Sequence, residues 1–168
     1  VTEDRKGEGL ALRQSVRDNA LLVTRAVPGR TRPPSARGAA ALLERVRLRA
    51  SADTQEVQYL SGGNQQKVVI AKWLAARPRV LLFDEPTRGV DVGAKAAIHT
   101  LVRELAAEGL AVLIVSSELP ELLGMSDRVL VMADGRLAGE LPAGATEEAV
   151  MRVATGGDGS GPDQEDAA

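Results

Sequence analysis

Val80-Leu81-Leu82-Phe83-Asp84-Glu85-Pro86-Thr87 opens with four apolar residues, sets two carboxylates side by side and then turns on a proline. An apolar run without polar alternation is expected as a strand buried on both faces, as in a parallel sheet. Asp84 ends that strand, where ligands collect in open α/β sheets. A carboxylate there can hold Mg²⁺ through water. Glu85 follows it, placed to orient or deprotonate an attacking water. Acidic strand ends alone are common, and most are simply solvated. This one gains meaning from the stretch upstream.

About 20 residues earlier stands Leu60-Ser61-Gly62-Gly63-Asn64-Gln65-Gln66. Gly62-Gly63 opens a helix expected from about Asn64 to Ala76, ended by Pro78. Without Cβ atoms, the backbone N–H groups can approach an anion closely, and the helix dipole adds positive potential there. Ser61 adds a hydroxyl donor. Taken alone, a plain loop that caps a helix explains these residues equally well. The pairing of this loop with the acidic strand end is much rarer by chance.

The rest of the chain fits an α/β layer architecture. Residues 1–10 read as a strand end entering a loop. Ser15 caps a helix to about Thr24. Pro28-Gly29 and Pro33-Pro34 mark a loop. A second helix is expected from Ser35 to Arg49, with Leu42, Leu43, Val46 and Arg49 at helical spacing. Val92–Ala107 reads as a helix capped by Gly109, and Ala111–Val115 as another strand buried on both faces. Pro120–Leu123 begins a short helix. Val129–Met132 and Arg136–Leu141 flank Ala133-Asp134-Gly135, a hairpin signal. Thr146 caps a last helix to Ala154. Residues 156–168 are rich in Gly, Ser, Asp and Glu and are expected to be a disordered acidic tail.

Composition narrows the function classes. The 168 residues include no cysteine, so disulfides and thiolate metal sites are excluded. No apolar run approaches the roughly 18 residues that span a bilayer, and no signal peptide is apparent. Residues 1–50 carry 11 Lys and Arg against 5 Asp and Glu. Aromatic residues make up only 2%, so base-stacking platforms are nearly absent. The basic segment reads as a solvated face, and no nucleic-acid partner is expected.

These motifs resemble those of the ATP-binding cassette (ABC) ATPases. Leu60-Ser61-Gly62-Gly63 resembles the signature motif. Phe83-Asp84-Glu85-Pro86-Thr87 resembles the Walker B motif with its catalytic glutamate, and Gly89-Val90-Asp91 resembles the D-loop. The resemblance covers residues 1 to about 155 in the family's order. Glu85-Pro86-Thr87-Arg88-Gly89-Val90-Asp91-Val92-Gly93-Ala94-Lys95, Asn64 and Val1-Thr2-Glu3-Asp4-Arg5-Lys6 further resemble the second, C-terminal cassette of monosaccharide importers of the ribose, xylose and galactose type. Glu3 then stands at the Q-loop glutamine position.

The resemblance implies a P-loop ATPase core, a mostly parallel sheet with flanking helices, and a helical subdomain at about residues 10–60. Residues 61–155 would carry the signature helix and the Walker B half of the core. It implies ATP and Mg²⁺ as cofactors, with Glu85 catalytic. Ser61, Gly62, Gly63, Asn64, Asp91 and Ser117 would be nucleotide-binding, Asp84 would hold Mg²⁺ through water, and Glu3 would be a second carboxylate directed at the metal.

Two departures stand out. The family's phosphate-binding loop is expected before residue 1, so this chain alone is expected to be inactive. Ser117 occupies the position of the switch histidine. The implied role is to energise sugar import at the cytoplasmic face of a membrane. The implied partners are a second cassette, a sugar permease and an external sugar-binding protein. Alternatives are a nucleoside or other small-molecule importer, a non-transport ABC ATPase acting on DNA or ribosomes, and a truncated non-catalytic fragment.

Overall fold

A computed structural model of the chain describes residues 1–26, 35–48 and 53–156. They divide into two compact units, Val1–Ser116 and a second that starts at Ser117. The first unit is built around the acidic strand. β1 (Val80–Asp84) pairs in parallel with β2 (Ala111–Val115), in a register that puts Val80 opposite Ala111 and Asp84 opposite Val115. The crossover between them is the helix α4 (Val92–Ala107). On the other side of β1, the Asp84 N–H donates to the Val1 carbonyl at 3.0 Å. Residue 1 thus lies beside the strand, but residues 1–4 form no strand of their own, and the expected loop is taken up by a π-helical turn, Arg5–Gly9.

The two strands are not buried on both faces. Leu81 and Phe83 are buried, but Val80 and Leu82 are exposed, as are Leu113 and Val115 on β2. The expectation of a doubly covered sheet is therefore corrected. An apolar run reports that a strand can be covered, and here one face of the pair has no covering layer among the described residues.

Three further α-helices belong to this unit: α1 (Val16–Ala26), α2 (Ala36–Arg45) and α3 (Gly62–Leu74). Ser15 caps α1 as expected. Its Oγ accepts from the Asp18 N–H at 3.0 Å, as an N-cap serine does, and donates to the Asp18 carboxylate at 2.6 Å. The core joins Val16, Ala20 and Leu21 to Leu43, Val46 and Val57 and to Val68, Val69 and Ile70 of α3.

Four arginines of the basic segment are paired with carboxylates. Arg17 pairs with Asp53, Arg25 with Asp18, Arg45 with Glu108 and Arg47 with Glu104.

α2 stops earlier than its periodicity suggests. Arg47 takes a left-handed φ of 56°. Its N–H donates to the Glu44 carbonyl, and the Leu48 N–H donates to the Leu43 carbonyl. This is a Schellman stop with arginine where glycine is usual. The expected end at Arg49 lies outside the described residues. So do the Pro28-Gly29 and Pro33-Pro34 loop and the acidic tail beyond Gly156.

The second unit holds α5 (Leu119–Met125), β3 (Arg128–Ala133), β4 (Arg136–Pro142) and α6 (Glu147–Ala154). β3 and β4 form the expected hairpin. Asp134 and Gly135 both have positive φ, 48° and 74°, as a two-residue type I′ turn requires. Val129, Val131 and Val150 form its core.

Candidate functional site

Ser61 sits at the N-cap of α3 with φ −60° and ψ 158°, yet its side chain makes no capping hydrogen bond. Serine is favoured at this position because its oxygen normally accepts an N–H from the first turn. Here the residue is exposed and its hydroxyl is left to solvent or a ligand. The two glycines after it are set by close approach. A Cβ on Gly63 would lie 2.3 Å from the Ala94 Cβ. A Cβ on Gly62 would lie 3.0 Å from the Arg5 Nη2 and 3.1 Å from the Gly89 carbonyl oxygen. Sequence reasoning gave the glycines one purpose, backbone approach to an anion. The structure adds a second, which is to let the N-termini of α3 and α4 come together.

The acidic strand end takes an unusual backbone path. Glu85 has a left-handed φ of 45°, a conformation that costs a non-glycine residue about 1–3 kcal/mol. Its N–H donates to the Val115 carbonyl at 2.8 Å, and its carbonyl accepts from the Arg88 N–H at 3.2 Å. These two bonds hold the strained residue at the end of the parallel pair. Asp84, one residue before, is exposed. Asp91 caps α4 by accepting the Ala94 N–H at 2.9 Å. Asn64 is partly buried in the first turn of α3. Ser117 opens the second unit and is exposed.

Glu3 is engaged. Its carboxylate pairs with the guanidinium of Arg88. Residues 3–6 and Arg88 line a cleft of about 370 Å³. No group of three or more His, Cys, Asp or Glu is arranged to hold a metal among the described residues. A lone exposed carboxylate at Asp84 fits a Mg²⁺ that keeps its waters and takes its other ligands from phosphates. For Glu3 to reach a metal, it must first leave Arg88.

Two residues that matter here escaped sequence reasoning. Arg5 starts a π-helical turn, Arg5–Gly9, capped by Asp4, and reaches the turn after β1. Lys72 is buried in α3, donates from Nζ to the Gly9 carbonyl at 2.5 Å, and lies 5.3 Å from the Trp73 ring centroid. Its spacing from Val68 and Val69 was the available signal, since i+4 and i+3 positions share a helix face.

Burial holds the Lys72 ammonium below the usual lysine value of 10.5. Between that lowered value and 10.5, the unfolded chain binds more protons than the folded one, so stability rises with pH across this window. Lys67 is lowered too, by burial and then by Arg47, and contributes with the same sign. Lys72→Met is expected to flatten, without abolishing, the rise in melting temperature as pH climbs towards 10.5. An unchanged slope would show that Lys72 is not desolvated as described.

The family model described as ABC transporter matches residues 4–88, just over half of the chain. The chain belongs to the ABC transporter ATP-binding family. Among its relatives, the ribose import ATP-binding protein RbsA 1 of Rubrobacter xylanophilus is 52% identical over 163 residues, covering 94% of this chain and 33% of that protein. RbsA 2 of Streptomyces coelicolor is 55% identical over 159 residues, covering 92% and 31%. This ABC chain thus spans about a third of the length of the curated relatives it matches.

A crystal structure of the ADP conformation of an ATP-binding cassette of an ABC transporter matches with a TM-score of 0.69 and 27% identity, covering 86% of this chain and 60% of that one. A nucleotide-free cassette matches at 24% identity with a TM-score of 0.67, covering 85% and 60%, and supports the fold alone. Among the described residues, no helix is long and apolar enough to cross a membrane.

Proposed function

We propose that this chain is the C-terminal portion of the second cassette of an ATPase that energises monosaccharide import, and that its sugar is of the ribose class. The observation that carries the reading is Ser61, a serine placed at a helix N-cap that does not cap, followed by two glycines in close contact with their neighbours. Such a hydroxyl, together with the free N–H groups of the first turn, suits a phosphate brought by another chain or domain. The ribose import proteins among the relatives support the substrate class.

In this reading residues 10–60 are the helical subdomain and residues 61–155 the signature and Walker B half. Partners are another cassette, a sugar permease at the cytoplasmic face and an external sugar-binding protein. Ser61, Gly62, Gly63 and Asn64 receive the γ-phosphate of the partner cassette's ATP. Asp84 holds Mg²⁺ through water, and Asp91 fixes the start of α4. Glu85 orients the attacking water in its own site. Bound Mg²⁺ supplies charge neutralisation on the phosphates. Ser117 puts a neutral hydroxyl where the resemblance implies a cationic γ-phosphate contact.

The test is ribose uptake into vesicles containing the full-length protein and its permease. Ser61→Ala removes one phosphate donor and no cap, so ribose-dependent ATP turnover is expected to fall about 10-fold or more with the melting temperature unchanged. Full turnover in the variant, or uptake that ignores ribose, overturns the reading.

A further inference from the structure

Arg5 reaches across 83 residues of chain: its Nη1 donates to the Arg88 carbonyl at 2.7 Å. Its Nη2 donates to the next carbonyl, Gly89, at 3.0 Å. The same Nη2 lies 3.0 Å from where a Cβ on Gly62 would stand. One guanidinium therefore binds the turn after β1 and fills the space beside Gly62, in the first turn of α3. Its Nε is buried with no hydrogen-bond partner. A guanidinium is a rigid planar fork, so two successive carbonyls fix both its place and its rotation. The buried Nε is a standing cost that the pair of carbonyl bonds must outweigh.

The same turn is gripped a second time. Glu3, two residues before Arg5, pairs with the side chain of Arg88. Residues 3–5 thus hold residues 88–89 through one side chain from each end. The turn needs holding, because it runs between two left-handed residues, Glu85 at φ 45° and Gly89 at φ 66°. Its backbone bonds include Arg88 N–H to the Glu85 carbonyl at 3.2 Å and Val90 N–H to the Thr87 carbonyl at 3.1 Å. Downstream of it stands Asp91, which caps α4.

We infer that Arg5 is a positioning residue that clamps the Arg88–Gly89 turn to the start of α3, with the Glu3–Arg88 ion pair as the second, releasable jaw of the clamp. Residues 3–5 thereby set the turn and Ser61 in one fixed relation. Breaking the ion pair frees one jaw while Arg5 keeps the other closed. The inference rests on the reading of residues 61–63 as a phosphate-receiving loop only for its catalytic consequence. The clamp itself is a matter of geometry.

The experiment compares Arg5→Lys, Arg5→Met, Glu3→Arg, Arg88→Glu and the Glu3→Arg/Arg88→Glu swap in the full-length protein with its permease. Amide hydrogen exchange of residues 86–92 and ATP turnover are both read. Lysine keeps the charge but cannot span two carbonyls. Exchange in 86–92 is therefore expected to rise about 10-fold in both Arg5 variants, while residues 98–105 of α4 stay protected. Turnover number falls with little change in KM, because the turn is misplaced while ATP contacts persist. Glu3→Arg and Arg88→Glu each raise exchange about 3-fold, and the swap brings it back.

Wild-type exchange in Arg5→Lys overturns the two-carbonyl fork, since charge alone would then suffice. A swap no better than its single variants overturns the second jaw. Faster exchange in 86–92 together with no ATP turnover by the unaltered protein upholds the clamp and defeats the transport reading instead.

Discussion

Gly62→Asp in the assembled transporter is expected to abolish sugar-stimulated ATP hydrolysis, a loss of about 100-fold or more, while Glu85→Gln leaves a substantial fraction of it. Position 62 is crowded as well as electrostatically sensitive. Its Cβ would stand 3.0 Å from the Arg5 Nη2 and 3.1 Å from the Gly89 carbonyl. An aspartate there must push into the solvent side, where the partner's γ-phosphate is proposed to arrive, or draw Arg5 off its carbonyls. The first route sets carboxylate against phosphate. The second opens the turn after β1. Both oppose closure of the site that Ser61 is proposed to complete.

Glu85→Gln acts elsewhere. It removes the proposed base and keeps the backbone bonds to the Val115 carbonyl and from the Arg88 N–H that hold residue 85 at φ 45°. Losing a general base costs a competent site about 100-fold or more. A site without a cationic γ-phosphate contact, as proposed for this cassette, contributes little of the total, so total turnover is expected to fall by less than about twofold. If the two variants prove equally damaging, the sites are not divided between them. Ser117→His is a cross-check: a modest gain or no change fits, and total loss assigns Ser117 a different task.

The elements that carry the proposed chemistry were legible because each has a local signal. The apolar run before Asp84 gave β1, and the glycine pair gave the start of α3. The Gly109 stop to α4 was visible because Gly109, at φ 94°, supports the Schellman bonds from its own N–H and from Leu110. The same stop after α2 was invisible, because Arg47 fills the left-handed position where sequence reasoning looks for glycine. The exposed faces of Val80, Leu82, Leu113 and Val115 depart from strands buried on both faces for a different reason. Hydrophobicity is a property of the strand, whereas burial depends on a second layer that no pattern within the strand reports. Arg5 and Lys72 were missed because their partners, Gly89 and Gly9, are backbone carbonyls far along the chain. A carbonyl has no residue type, so nothing in the sequence marks it as a partner.

Gly63→Ala is expected to destabilise the chain, and Ala94→Gly is expected to rescue it. The new Cβ on residue 63 would fall 2.3 Å from the Ala94 Cβ, 3.6 Å from the Ala94 Cα and 3.6 Å from a Val90 methyl. Only the first distance is intolerable, since carbon atoms pack best at about 3.5–4.0 Å. The overlap is with a Cβ on a helix, not with the mobile tip of a side chain, so α3 and α4 must part at their N-termini. Overpacking of this kind costs about 1–3 kcal/mol, or roughly 2–12 °C in melting temperature for a chain of this size. Ala94→Gly alone loses helix propensity worth up to about 1 kcal/mol. In the double variant the methyl has moved from one helix to the other and the overlap is gone. The double-mutant cycle should therefore show a favourable coupling of at least about 1 kcal/mol, with the double variant melting above Gly63→Ala. A glycine kept solely for approach to phosphate would behave otherwise: Gly63→Ala would lose turnover without losing stability, and Ala94→Gly would add its own cost and restore nothing.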